Sequence, residues 1–268
     1  MLKKGFLPTL CFTLMFSFLS LTQGADNSNA SNQEAIQLHN NSIQSTASLF
    51  NTRDLPDVII GEDERYLISD PAAEEKYKHI GKLTFTSGSG SRSFCTANLV
   101  SPTVALTSAH CAYNRASAKY STNMTIQFAK NIDSHTVQAN VTRVFVPSQY
   151  ITAGGTSNDW AVLKLDRRVS NSHFIVSPGN AQVGDTVEIA GYPGDLGGQE
   201  MYGHTNQITN IIGNTIHHNM DTAGGQSGSA IASYPYLKAV HSGGVRGSHN
   251  VAALANTSMV SKIAEFNR

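Results

Sequence analysis

The sequence predicts an all-β chain built from short strands, arranged as barrels or a sandwich, with one helix at the C-terminus. Three observations predict it. From Val58 onward, short apolar runs are separated by Gly, Pro, Asn and Ser clusters, a spacing typical of barrels and sandwiches. No helical pattern alternates with these runs, which argues against a parallel α/β sheet. Gly is abundant, at 22 residues, which suits a chain with many turns. A length of 268 residues is ample for a core. Charged residues make up only 14%, with 19 of each sign, so neither a nucleic acid nor an acidic membrane surface is expected as a partner.

Taken in order, the chain begins with a targeting pattern. Lys3 and Lys4 form a basic patch, Phe6 to Leu21 is mainly apolar, and Thr22, Gln23 and Gly24 follow. Residues 1–24 therefore read as a signal peptide cut after Gly24, or after Ala25, and the protein is expected to be secreted. The run is short and nothing behind it stops transfer, so no membrane anchor is expected. Ala25 to about Asp57 is rich in Asn, Ser and Gln with few aromatics, too polar to order itself by burial. Residues 25–57 read as a pro-segment, with a retained solvated arm as the alternative.

Strands are expected over Ile80–Thr86, Phe94–Val100, Thr103–Thr107, Met124–Phe128, Val137–Val146 and Trp160–Leu165. Five more are expected over Thr186–Ala190, Gln207–Ile212, Gly228–Ala232, Leu237–His241 and Val251–Ala255. In the tail, Met259, Val260, Ile263, Ala264 and Phe266 recur at helical spacing, with Thr257 and Ser258 as N-cap candidates.

Export governs the cysteines. Cys11 leaves with the signal peptide, so Cys95 and Cys111 remain as an even pair in an oxidising compartment. One disulfide is the simple reading and two buried free thiols the alternative. No set of thiolates remains for zinc, and no EF-hand type of oxygen-ligand loop occurs. No metal and no cofactor are expected.

Three motifs carry chemistry. D-T-A-G-G-Q-S-G-S, Asp221 to Ser229, surrounds a serine with small residues, and its glycines permit a loop that presents backbone donors. The N–H groups of Gly225 and Ser227 are candidates to hold an oxyanion. A serine hydroxyl is a weak nucleophile and needs a base. T-S-A-H-C, Thr107 to Cys111, places His110 at a strand end, where an imidazole can take and return a proton near neutral pH. S-N-D-W-A-V-L-K-L, Ser157 to Leu165, sets Asp159 before an apolar strand, where a carboxylate can orient that imidazole.

These motifs, in the order His, Asp, Ser, resemble those of chymotrypsin-like serine proteases. G-Y-P-G-D, Gly191 to Asp195, and V-I-I-G-E-D-E-R, Val58 to Arg65, narrow the resemblance to the glutamyl endopeptidases over about residues 58–268. The resemblance implies two antiparallel six-stranded barrels, about 58–168 and 169–268, with the site in the cleft between them. It implies Ser227 as nucleophile, His110 as general base and acid, Asp159 as orienting carboxylate, and Gly225 and Ser227 as oxyanion donors. It places Ser242 near Asp159 and pairs Cys95 with Cys111 across the histidine loop. Gln226 stands where the trypsin branch carries an Asp for the new N-terminal ammonium, so that salt bridge cannot form here.

For specificity, the resemblance implies that Thr222, His241 and the amine of Val58 bind an acidic substrate side chain, with Ser242, Gly243 and Gly244 continuing the substrate strand. A hydroxyl and an imidazole can both donate to a carboxylate. The expected activity is cleavage of polypeptides after Glu, and less readily after Asp, by a monomeric secreted enzyme. The sequence leaves two alternatives: a serine endopeptidase of different or narrower preference, as in exfoliative toxins, and a non-catalytic binding protein on the same scaffold.

Overall fold

The computed structural model describes residues 57–268. The expected signal peptide, 1–24, and all of the expected pro-segment but Asp57 lie outside the described residues. In chain order the strands are β1 (Tyr66–Ile68), β2 (Ile80–Thr86), β3 (Arg92–Ser101), β4 (Val104–Thr107), β5 (Tyr113–Asn114) and β6 (Lys119–Tyr120). Then come β7 (Thr122–Phe128), β8 (Val137–Phe145), β9 (Ala161–Leu165), β10 (Ile175–Val176) and β11 (Thr186–Gly191). The last are β12 (Met201–Ile212), β13 (Thr215–His218), β14 (Ala230–Ser233), β15 (Tyr236–Val245) and β16 (His249–Leu254).

Strands β2, β3, β4, β9, β8 and β7 close into one barrel with every pairing antiparallel. A second antiparallel ring runs β11, β12, β13, β16, β15, β14 and back to β11. Closure leaves neither ring with a free edge. The chain therefore adopts the expected all-β, two-barrel architecture.

Three details, among others, differ from expectation. β1 pairs with β12, so residues 66–68, grouped by sequence with the first barrel, belong to the sheet of the second. β13 was not expected as a strand, yet it closes the second ring by joining β12 to β16. The run expected from Gly228 begins as a strand only at Ala230, because Gly228 sits at φ +88° in the preceding turn.

Each barrel has an interior core, and a third core lies between the barrels. Leu83, Leu99, Ile126, Phe128 and Leu163 fill the first barrel, and Val187, Ile189, Ile208, Ile216 and Ile231 fill the second. Leu106, Val162, Tyr192, Ala230 and Val240 pack between them. Alternation along a strand assigns the cores. In β9, Ala161, Leu163 and Leu165 point into the barrel while Val162 faces the other barrel. Both faces are buried, so this strand reads as a nearly continuous apolar run.

The helix Thr257–Phe266 buries Met259, Ile263 and Phe266, spaced four and three residues apart, on the inter-barrel core. Its cap is Asn256, one residue before the expected candidates, whose Oδ1 accepts the Met259 N–H at 3.0 Å. Phe266→Ala is expected to cost about 3–5 kcal/mol, because its ring also carries the Arg143 guanidinium at 3.7 Å. Urea unfolding of the variant would measure this.

Candidate active site

The Asp221–Ser229 loop joins β13 to β14, and glycine is required at two of its positions. Gly225 has φ +105°, and a Cβ there would lie 2.3 Å from the Phe94 ring and 2.4 Å from the Tyr192 carbonyl. Gly228 has φ +88°, and its Cβ would lie 2.2 Å from the Thr96 carbonyl. Strand β3 of the other barrel holds the loop. The Gly225 carbonyl accepts from Thr96 Oγ1 at 2.9 Å, the Ser227 carbonyl from the Thr96 N–H at 2.9 Å, and the Gly228 carbonyl from Asn98 Nδ2 at 2.7 Å. Among the described residues, no acceptor takes the N–H of Gly225 or of Ser227. Both donors are therefore available to a ligand.

His110 lies on the helical turn Ala109–Ala112 that follows β4. Cys111 on that turn is bonded to Cys95 on β3, with an S–S length of 2.03 Å. Closing this loop contributes about 3 kcal/mol in a chain-entropy account. Replacing both cysteines by alanine is expected to lower stability by about that amount, read as a lower urea midpoint. His110 and the two sulfurs are the one group of metal-type ligand atoms clustered among the described residues. With the sulfurs bonded to each other, no thiolate is offered to a metal.

Asp159 directly follows the turn Thr156–Asn158 and is buried. Its Oδ1 accepts the His110 backbone N–H at 2.9 Å, and its Oδ2 lies 2.8 Å from His110 Nδ1 and accepts from the Ser242 hydroxyl. An ionised carboxylate only accepts, so Nδ1 carries the hydrogen and Nε2 is left with its lone pair. Burial raises the Asp159 pKa, but the His110 charge and the three hydrogen bonds outweigh it and hold the carboxyl below its ordinary value of 3.8. The stabilisation linked to that shift is present above about pH 3.8 and is lost as pH falls below it.

The loops of Ser227 and His110 meet on one atom. The His241 carbonyl accepts from the Gly228 N–H at 2.8 Å and from Ser108 Oγ at 2.6 Å. One position after Ser227 and two before His110 are thereby fixed to β15. Gly243 and Gly244 continue β15 opposite Val251 and Asn250.

Beside Ser227 lies a buried polar pocket. His241 is fully buried, and its Nε2 lies 2.7 Å from Oδ1 of Asp57, a side chain only 4% exposed. The Thr222 hydroxyl is buried without a partner among the described residues. The Val58 N–H donates to Asn250 Oδ1 at 3.2 Å, and its carbonyl accepts from Asn250 Nδ2 at 2.8 Å and the Thr222 N–H at 3.2 Å. Farther along, the N–H groups of Ile60 and Glu64 donate to Asp221 at 2.7 and 2.9 Å. Gln226 cannot anchor an ammonium. Its Oε1 instead accepts the Ala223 N–H at 3.0 Å and braces its own loop.

Three residues of the site escaped the sequence reading. His218 Nε2 lies 3.3 Å from His241 Nδ1. Burial and then the neighbouring imidazoles lower the His218 pKa, so it stays neutral and can donate to His241 Nδ1. Asn250 straps Val58, and Asp57 occupies the pocket. No local pattern marks any of the three.

Comparison with known proteins gives one consistent answer. The trypsin family matches residues 69–263. A glutamyl endopeptidase of Bacillus licheniformis is 30% identical over 202 residues, 70% of this chain. That match spans 62% of the relative's length. A glutamyl endopeptidase of Staphylococcus aureus is 28% identical over 118 residues, covering 41% of this chain and 36% of the relative. Among solved structures, a Glu endopeptidase in complex with MPD aligns with TM-score 0.72 at 30% identity, over 78% of this chain and 99% of that one. The Arthrobacter nicotinovorans protease Anisep aligns with TM-score 0.64 at 23% identity, over 76% and 99%, and supports the fold. Among the described residues, no helix is long and apolar enough to cross a membrane.

Proposed function

The chain belongs to the trypsin family of serine proteases, and from that premise we propose that it is a secreted endopeptidase cutting after Glu, and more slowly after Asp. Ser227 Oγ attacks the carbonyl carbon before the scissile bond as His110 Nε2 takes its proton. The N–H groups of Gly225 and Ser227 hold the oxyanion, and Asp159 stabilises the charged imidazole. His110 then protonates the leaving amine as the C–N bond breaks, giving an acyl-enzyme. Water repeats the sequence, with His110 taking its proton, and frees Ser227.

The observation that carries the acidic preference is the Asp57 carboxylate buried against His241. It supports a pocket that receives a carboxylate, and the unpartnered Thr222 hydroxyl offers a second donor. A carboxylate buried without donors costs several kcal/mol, so such a site discriminates against neutral side chains only if its donors are fixed. Here β15, Asn250 and His218 fix them. Maturation removes residues 1–57 and frees the Val58 amine beside the same pocket.

Digestion of an unfolded protein, with sequencing of the new C-termini, tests this reading. The expected products end in Glu, with a minority ending in Asp. Products ending in neutral or basic residues would remove the glutamyl preference. N-terminal sequencing of the active enzyme is expected to begin at Val58.

A further inference from the structure

A lysine with no hydrogen-bond acceptor among the described residues faces an open cavity on the other side of the Ser227 loop. On β2, Leu83 points into the first barrel's core, and strand alternation turns Lys82 to the outer face. Lys82 is only 6% exposed. Among the described residues no acceptor takes its ammonium, whose Nζ lies 4.5 Å from the centroid of the Phe94 ring. The nearby Lys130 is already engaged with the Ile132 carbonyl. Burial, and then the Lys130 charge, lower the Lys82 pKa. A ring face holds a cation more weakly than a charge-assisted hydrogen bond to a carboxylate does.

The cavity has a volume of about 530 Å³ and is lined by Lys82, Arg92, Ser93, Phe94, Thr86 and Asn123 among others, with no carboxylate among its described lining residues. Phe94 ties it to the active site, since a Cβ on Gly225 would meet that ring at 2.3 Å. The His241 pocket lies on the β15 side of Ser227 and receives the residue before the scissile bond, P1. The cavity lies on the β3 side of the same loop. The leaving amine must come within reach of His110, whose turn the Cys95–Cys111 disulfide ties to β3 one residue after Phe94, so the chain beyond the bond is directed to this side.

We infer that this cavity is a second substrate subsite, on the leaving-group side, in which Lys82 and Arg92 take an acidic side chain of the polypeptide. The inference rests on the peptidase reading above and extends it. Preferred substrates then carry acidic residues on both sides of the cut.

The test uses mature enzyme and peptides with Glu at P1, placing Glu or Gln at each of the three positions after the bond. At one position kcat/KM is expected to favour Glu by about tenfold, the size of one charge-assisted hydrogen bond. Lys82→Met is expected to bring that ratio close to one and Lys82→Arg to retain most of it. Neither should change the Glu-to-Gln ratio at P1. Arg92 is exposed, so Arg92→Gln provides a variant that removes no buried side chain, and it should lower the ratio at the same position. A wild-type ratio near one at all three positions overturns the inference and leaves the P1 reading standing. So does a ratio that survives both substitutions. Selectivity after the bond without selectivity at P1 would uphold this subsite and remove the P1 reading, and absence of peptide cleavage would remove both.

Discussion

Ser227→Ala is expected to reduce peptide turnover by roughly 10⁶-fold, as loss of the nucleophile does in other triads. The fold should survive. The Ser227 carbonyl accepts from Thr96, and its neighbours' backbone bonds to Asn98 and His241 hold the loop, none of which uses the hydroxyl. Asp159→Asn tests the same machinery from its other end. An amide nitrogen facing Nδ1 would favour the wrong tautomer, and a loss of about 10⁴-fold is expected. Unlike Ser227→Ala, it should also destabilise, because Asp159 accepts from the His110 backbone and from Ser242. Hydrolysis of a P1 Glu peptide, with circular dichroism and urea unfolding, separates the two effects. Activity of Ser227→Ala within tenfold of the wild type would remove Ser227 from its role.

Strands buried on both faces were legible in the sequence because every position contributes to the apolar run, as in β4 and β9. β13 was not. Ile216 and His218 alternate inward, but a buried histidine carries no apolar signal. The pairing that makes β13 a strand comes from β12 and β16, distant in sequence. The helix was legible from its spacing, while its cap was displaced to Asn256 because capping depends on backbone geometry at a single residue. Ser227, His110 and Asp159 stood out because each lies in a short motif whose neighbours serve the chemistry. His218, Asn250 and Asp57 stood out in nothing local. They reach the pocket from 23, 192 and 184 residues away from their partners, and only topology brings them there. The burial of Lys82 is of the same kind, since a lysine in a strand ordinarily reads as a solvated position.

Cleavage of the Asp57–Val58 bond is expected to change selectivity by inverting the charge of the P1 pocket. In the uncut chain the Asp57 carboxylate faces His241 at 2.7 Å and opposes entry of a substrate carboxylate. The straps on Val58, Ile60 and Glu64 come from Asn250, Thr222 and Asp221 and do not involve Asp57. Cutting can therefore release Asp57 while Val58 stays in place, now as an ammonium. One unit of charge at about 5 Å is worth about 3 kcal/mol at an effective dielectric constant near 20, and solvent and salt reduce it. The chain beginning at Asp57 carries its own ammonium beside the carboxylate, so it differs from the Val58 chain by about one unit, and a change on the order of 10²-fold in kcat/KM for P1 Glu follows. Three chains should be compared on matched P1 Glu and Gln peptides: one beginning at Val58, one at Asp57, and one at residue 57 carrying Asp57→Asn. Mass spectrometry would establish that each extension stays attached. Glu turnover should be highest from Val58, intermediate with the amide and lowest with Asp57, while Gln turnover should differ little between the two extended chains. An α-amine titrates near about 7.7–8.0 and is raised by an adjacent carboxylate. The Glu advantage of the Val58 chain should thus persist at mildly alkaline pH and fall as the amine loses its proton. Equal Glu turnover by the Asp57 and Asp57→Asn chains would mean that the extension acts by filling space, and the charge account would be wrong.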